Sequence, residues 1–125
     1  MTSLKYIILG FIIFLGTNQA TALSDKKYQR LIMKADRFYE NFAYSKAVEV
    51  YEKAILLKQQ EDDIFDMESA LKIADSFRLM NKPVSAEKWY DRVTTETLWT
   101  DQDKMNFAQV LLKNGKDKEA QNIIG

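Results

Sequence analysis

Apolar residues recur at intervals of three and four along most of the chain, which is the spacing of one face of an α-helix. Tyr28, Leu31, Ile32, Ala35, Phe38 and Tyr39 form a first stripe, with Ser24 and Asp25 before it as capping residues, and predict a helix over 25–41. Ala47, Val48, Val50, Tyr51, Ala54, Ile55 and Leu57 form a second, over 45–58. The polar run 59–63 then reads as a loop and 64–80 as a third helix, ended by Asn81-Lys82-Pro83. Proline cannot continue a helix but suits the first turn of the next, so a fourth is expected over 83–96. Thr100 and the acidic turn Asp101-Gln102-Asp103 open a fifth, to Lys113. Asn114-Gly115 closes it, and a sixth starts near Asp117. No run alternates like a strand, so the expected class is all-α.

A second pattern lies on top of the first. Ala35, Ala74 and Ala108 are each followed three residues later by a large apolar residue: Phe38, Phe77 and Leu111. Twelve residues after each comes another alanine, Ala47, Ala86 or Ala120, and four further on a bulky Tyr51, Tyr90 or Ile124. Small residues are needed where two helices cross closely, and large ones fill the space between one helix pair and the next. The spacing is 39 residues from the first copy to the second and 34 from the second to the third. The loop at 59–63 is expected to absorb the extra five.

A period of 34 with this small-large pattern resembles the tetratricopeptide repeat family. The resemblance implies helix-turn-helix repeats stacked into a short right-handed solenoid: two full copies and a third that stops at Gly125. The usual tryptophan near the start of each repeat is missing, Lys34 stands where leucine is common, and Gln59 and Leu98 replace the closing proline. In that family the first helix of each pair lines a concave groove. Carried over by register, the partner-binding residues would be Asp36 and Tyr39 in the first copy, Leu71, Asp75 and Arg78 in the second, and Gln109 in the third. Family members that clamp a carboxylate use lysine and asparagine at several such places. Here Ile32, Leu71 and Met105 precede the alanine by three, and Asp36, Asp75 and Gln109 follow it by one. The expected groove is apolar with an acidic side, suited to a peptide with apolar and basic residues. Trp99, in the break between copies two and three, reads either as an anchor for a partner or as packing under the loop.

The first 22 residues are of different material. One lysine, an apolar run from Tyr6 to Gly16 and the small-residue pattern Ala20-Thr21-Ala22 make up the three parts of a secretory signal peptide. The run is about 11 residues, short of the roughly 20 that span a bilayer. Residues 23–125 would then form the mature domain. No cysteine occurs in the 125 residues, so disulfides, thiolate metal sites and a lipidated N-terminus are excluded. Together these lead us to expect a periplasmic protein.

Composition removes further function classes. With 18 basic and 18 acidic residues the chain offers nothing that favours nucleic acid. Histidine and cysteine are both absent, which removes the commonest general base and the usual nucleophile pairs, so no catalysis is expected. Ser85 to Lys88 matches a serine–x–x–lysine pattern, but Ala86 is already a packing position and the companion motifs are missing. The acidic clusters at 61–63 and 101–103 lack the glycine and closing glutamate of a calcium loop. No metal, cofactor or small-molecule substrate is expected. The partner is a protein or peptide.

The leader and the run from Lys34 to Ile55 together also resemble the N-terminal region of OmpA-family outer-membrane-associated proteins of Bacteroidetes, including PorE-like components of type IX secretion and gliding. That resemblance implies a non-catalytic scaffold near the outer membrane. The alternative it leaves is a structural spacer or assembly segment, the first part of a larger protein with a propeller and a peptidoglycan-binding domain.

Overall fold

The computed structural model describes residues 23–93 and 99–125, and the leader read in residues 1–22 lies outside them. The described residues are all-α, with no strand among them. Helix α1 covers 23–40. It is followed by α2 (Tyr44–Asp62), α3 (Met67–Leu79), α4 (Pro83–Tyr90), α5 (Asp101–Lys113) and α6 (Asp117–Ile124). None of these is long and apolar enough to cross a membrane.

Three of the expected boundaries move. The run Gln59–Asp62 is helical, so α2 is 19 residues long and ends only where Asp63 turns left-handed at φ 53°. Glutamine and glutamate are good helix formers, and nothing in that run breaks the backbone ladder. The five-residue excess between the first two copies therefore lengthens a helix rather than a loop. Conversely, α4 stops at Tyr90, with Asp91 and Arg92 in a turn, and the expected continuation over 94–96 lies outside the described residues. The helix expected from Ile64 begins at Met67. There the buried Asp66 caps it, accepting from the Ser69 backbone N–H at 3.1 Å and the Ser69 hydroxyl at 2.6 Å. Thr100 and Asp103 form a reciprocal capping box at the start of α5.

The alanine frame recurs in the backbone. Seven residues after each first alanine stands a left-handed residue: Phe42 (φ 63°), Asn81 (φ 58°) and Gly115 (φ 77°). In each turn the N–H of the following residue reaches back to the carbonyl of the bulky residue: Ala43 to Phe38, Lys82 to Phe77, Lys116 to Leu111, at 2.8, 2.9 and 2.8 Å. The left-handed residue itself donates to Tyr39, Arg78 or Leu112, at 3.0 Å each time. This is one helix-ending motif built three times. All six frame alanines are at most 1% exposed, and Tyr51, Tyr90 and Leu111 are equally buried.

Neighbouring helices pack on one another in chain order, and α3 also touches α5. Tyrosine hydroxyls tie α1 to α3 at two levels: Tyr28 donates to Asp66 and Tyr39 to Asp75. Both residues advance in the same direction, so α1 and α3 run parallel. Asn81 accepts from Lys113, and the Pro83 carbonyl accepts from Asn114 at 3.0 Å. The three left-handed turns consequently lie along one edge. The core is nearly continuous. One buried cluster spans α1 to α3, a second links α3, α4 and α5, and a third joins α5 to α6. Leu71, Phe77, Trp89 and Trp99 border both of the first two clusters, and Phe107 borders the second and third.

Candidate functional site

The helices α1, α3 and α5 carry every residue expected to meet a partner. Their helical spacing puts Asp36, Tyr39, Leu71, Asp75, Arg78 and Gln109 along the neighbouring stripes of these three helices. Between α3 and α5 the surface opens into a cleft of about 270 Å³ lined by Glu68, Leu71, Lys72, Asp75 and Asp103. A smaller recess of about 50 Å³ lies further along, lined by Arg78, Asn81, Pro83, Gln109, Val110 and Lys113.

Three of the six residues are gathered into one network. The carboxylate of Asp75 accepts from the Tyr39 hydroxyl, from Arg78 Nε and Nη2 at 2.9 and 2.6 Å, and from Asn106 Nδ2 at 3.5 Å. Three side chains, one each from α1, α3 and α5, thus converge on one carboxyl group. Lys72 sits over the face of Tyr39, its Nζ 4.4 Å from the ring centre. Asp36 is held separately, accepting from the Tyr51 hydroxyl of α2 at 2.5 Å. Leu71 is half-buried against two core clusters and shows only part of its side chain to the cleft. Gln109 alone is fully at the surface.

Both aspartates therefore have work inside the fold. A groove with an acidic side was expected; Asp75 is paired with the Arg78 guanidinium, Asp36 keeps its charge while accepting from a neutral phenol, and the other carboxylates lining the cleft are Glu68 and Asp103. Asp103 also accepts the Thr100 N–H. The tyrosines register the same environment. Burial, followed by the hydrogen bond to Asp75, holds the Tyr39 hydroxyl above its ordinary titration range, and burial with Asp36 does so for Tyr51. Tyr90, 1% exposed, rises mainly through burial, and among the described residues its hydroxyl has no hydrogen-bond partner, although Asp75 and Arg78 are near enough to influence it.

Sequence reasoning gave no binding role to Lys72 and Asp103, which line the cleft, to Asn106, which donates to Asp75, or to Phe42, whose left-handed backbone carries an aromatic ring 78% exposed. A signal for Phe42 existed: it occupies the frame position that holds asparagine and glycine in the other two copies. Trp99 is packing. Its ring stacks on Phe107 with centroids 5.4 Å apart, and its Nε1 donates to the Val93 carbonyl at 3.2 Å. Compared with models of known protein families the chain matches none, and no curated protein is significantly similar to it.

Proposed function

We propose that residues 23–125 form a tetratricopeptide-type helical solenoid whose function is to bind a protein segment, without catalysis, on the face shared by α1, α3 and α5. The observation that carries this reading is the turn repeated three times in the alanine frame, with the same left-handed position and the same backbone hydrogen bonds. A chain that spends its regularity on stacking like helix pairs produces an extended surface, which is what such architectures use for recognition. The cleft beside Leu71 and the recess beside Gln109 give that surface relief. With its leader, the protein would act in the periplasm, as a scaffold at or near the outer membrane and of the kind used in type IX secretion or gliding.

A photo-reactive side chain placed at Gln109 or at Glu68, in the full chain expressed with its leader, tests the idea in cells. Cross-links to a defined periplasmic protein are expected from those two positions and not from Glu52 or Lys53 on α2. Equal cross-linking from all four, or products confined to α2, would remove the shared face as the binding surface. The mass of the recovered chain reports whether cleavage falls after Ala22.

A further inference from the structure

The two long edges of the molecule carry opposite charge. Along the edge of the left-handed turns, residues 40–46, 79–84 and 113–118 contain five lysines (Lys46, Lys82, Lys113, Lys116 and Lys118) against Glu40 and Asp117. Across the molecule, residues 59–68 and 99–103 contain seven carboxylates, set against Lys26 and Lys27 at the start of α1 and Lys58, which pairs with Asp62. The lysine edge also exposes apolar side chains: Phe42 is 78% and Val84 63% exposed. Phe42 is steadied at the surface by an edge-on contact with Tyr44, which itself meets Tyr39 edge-on.

Several of these choices run against local stability. Phe42 holds φ 63°, a region that suits glycine or asparagine and not a bulky side chain. Lys46 and Lys118 lie in the first turns of α2 and α6, and Lys82 and Lys116 precede α4 and α6. Cations there oppose the helix dipole. Among the described residues only Lys116 of these gains an ion pair, with Glu87. Locally unfavourable residues concentrated on one edge mark a surface kept for something outside the fold. Lysines flanking exposed phenylalanine and valine are complementary to a layer that is anionic at its surface and apolar beneath.

We propose that the turn edge docks on an anionic phospholipid surface, with the lysines at the headgroups and Phe42 and Val84 dipping below them. The absence of cysteine lets Ser45→Cys and Gln60→Cys each carry a single environment-sensitive fluorophore, one on each edge. Full-length chains are titrated with vesicles of phosphatidylglycerol and phosphatidylcholine in equal parts, and with phosphatidylcholine alone. A blue shift is expected from position 45 with the anionic vesicles only, and none from position 60. Lys46→Glu, Lys82→Glu and Lys118→Glu together should weaken binding by at least ~10-fold, as lost electrostatic attraction requires. These glutamates sit at helix starts, where they favour the fold, so loss of binding is separable from unfolding. Phe42→Asn should weaken binding several-fold while leaving helicity unchanged. The leader is common to every chain, so differences among variants and labels report the edge.

Equal shifts at both labels, equal response to neutral vesicles, indifference to charge reversal or no binding at all would each overturn the proposal. A shift at position 45 with polyglutamate but not with vesicles would overturn it in favour of an acidic protein partner. Lipid-free association at low salt would do so in favour of a second copy pairing basic edge to acidic edge.

Discussion

Phe42, Asn81 and Gly115 perform one backbone task with three side chains, so they form a natural comparison. Left-handed backbone costs a side chain with a Cβ about 1 kcal/mol or more, less for asparagine and nothing for glycine. Phe42→Asn is therefore expected to stabilise the fold by about 1 kcal/mol, seen as a higher urea midpoint at unchanged slope. Gly115→Ala should lose about 1 kcal/mol from conformation alone, because a Cβ there meets nothing within 4 Å. A midpoint that falls for Phe42→Asn would show that the exposed ring supports the native state after all. Tyrosines allow a second comparison. Tyr39→Phe deletes a bond to a carboxylate and should cost about 1 kcal/mol, whereas Tyr90→Phe deletes a buried hydroxyl without a partner among the described residues and should cost nothing or stabilise. The frame alanines, all buried, were legible in the sequence because close helix crossings accept only small side chains. The partners of Asp36 and Asp75 were not. Apart from Arg78, one turn along from Asp75 in α3, they lie on other helices, and helical spacing reports a residue's face without reporting what stands opposite it.

Between elements, the tyrosine–aspartate bonds hold α1 against α3 at two levels and α2 against α1 at a third. Their consequence is a weakness at alkaline pH. Tyr28, Tyr39, Tyr51 and Tyr90 all titrate above the ordinary 10.0 in the folded protein, first through burial, and the first three also through hydrogen bonds to carboxylates. Unfolded tyrosine gives up its proton near 10.0, before the folded side chains do, so the native state binds more protons above that pH. Stability is thus complete below about pH 10 and declines as pH rises beyond it. Urea midpoints measured by circular dichroism should be flat from neutral pH to that point and then fall. The Tyr28→Phe, Tyr39→Phe double variant should start lower and decline less steeply, whereas a wild-type midpoint that stays flat above pH 10 would remove the linkage. Helix boundaries show the same division in legibility. Starts at Pro83 and Asp101 were readable from proline and a capping threonine. The start at Met67 was missed because Asp66 is recruited from within an acidic run. The end of α2 was missed because nothing in Gln59–Asp62 commits those residues to either helix or loop until Asp63 turns left-handed.

Across the whole molecule, with no cysteine to cross-link it, cohesion depends on how the core clusters share side chains. The first two clusters share four bordering residues. The third consists of Ala108, Leu111 and Ala120, and among the described residues its border with the second is Phe107 alone. Phe107 stacks on Tyr90 with centroids 4.9 Å apart and on Trp99 at 5.4 Å, so this ring, together with the buried Val110, carries the apolar link between α4 and α5. Polar contacts from Asn114 and Lys116 to Glu87 supplement it, and those to Lys116 are exposed. In a linear array each unit is supported by its neighbours only, so α6, which among the described residues packs chiefly on α5, should be the least protected helix in native hydrogen exchange. Removing the ring should turn a gradient into a break. Phe107→Ala is expected to cost about 3 kcal/mol or more at the α5–α6 end, while α1 to α3 keep their protection and the calorimetric transition splits. If protection instead fell evenly from α1 to α6, the clusters would be folding as one unit, and the two bonds to Glu87, not Phe107, would be what couples the last helix pair to the rest. Glu87→Gln would then shift the single transition as much as Phe107→Ala does. In the modular case it affects only the α5–α6 step, and more weakly, because it leaves the aromatic stack intact.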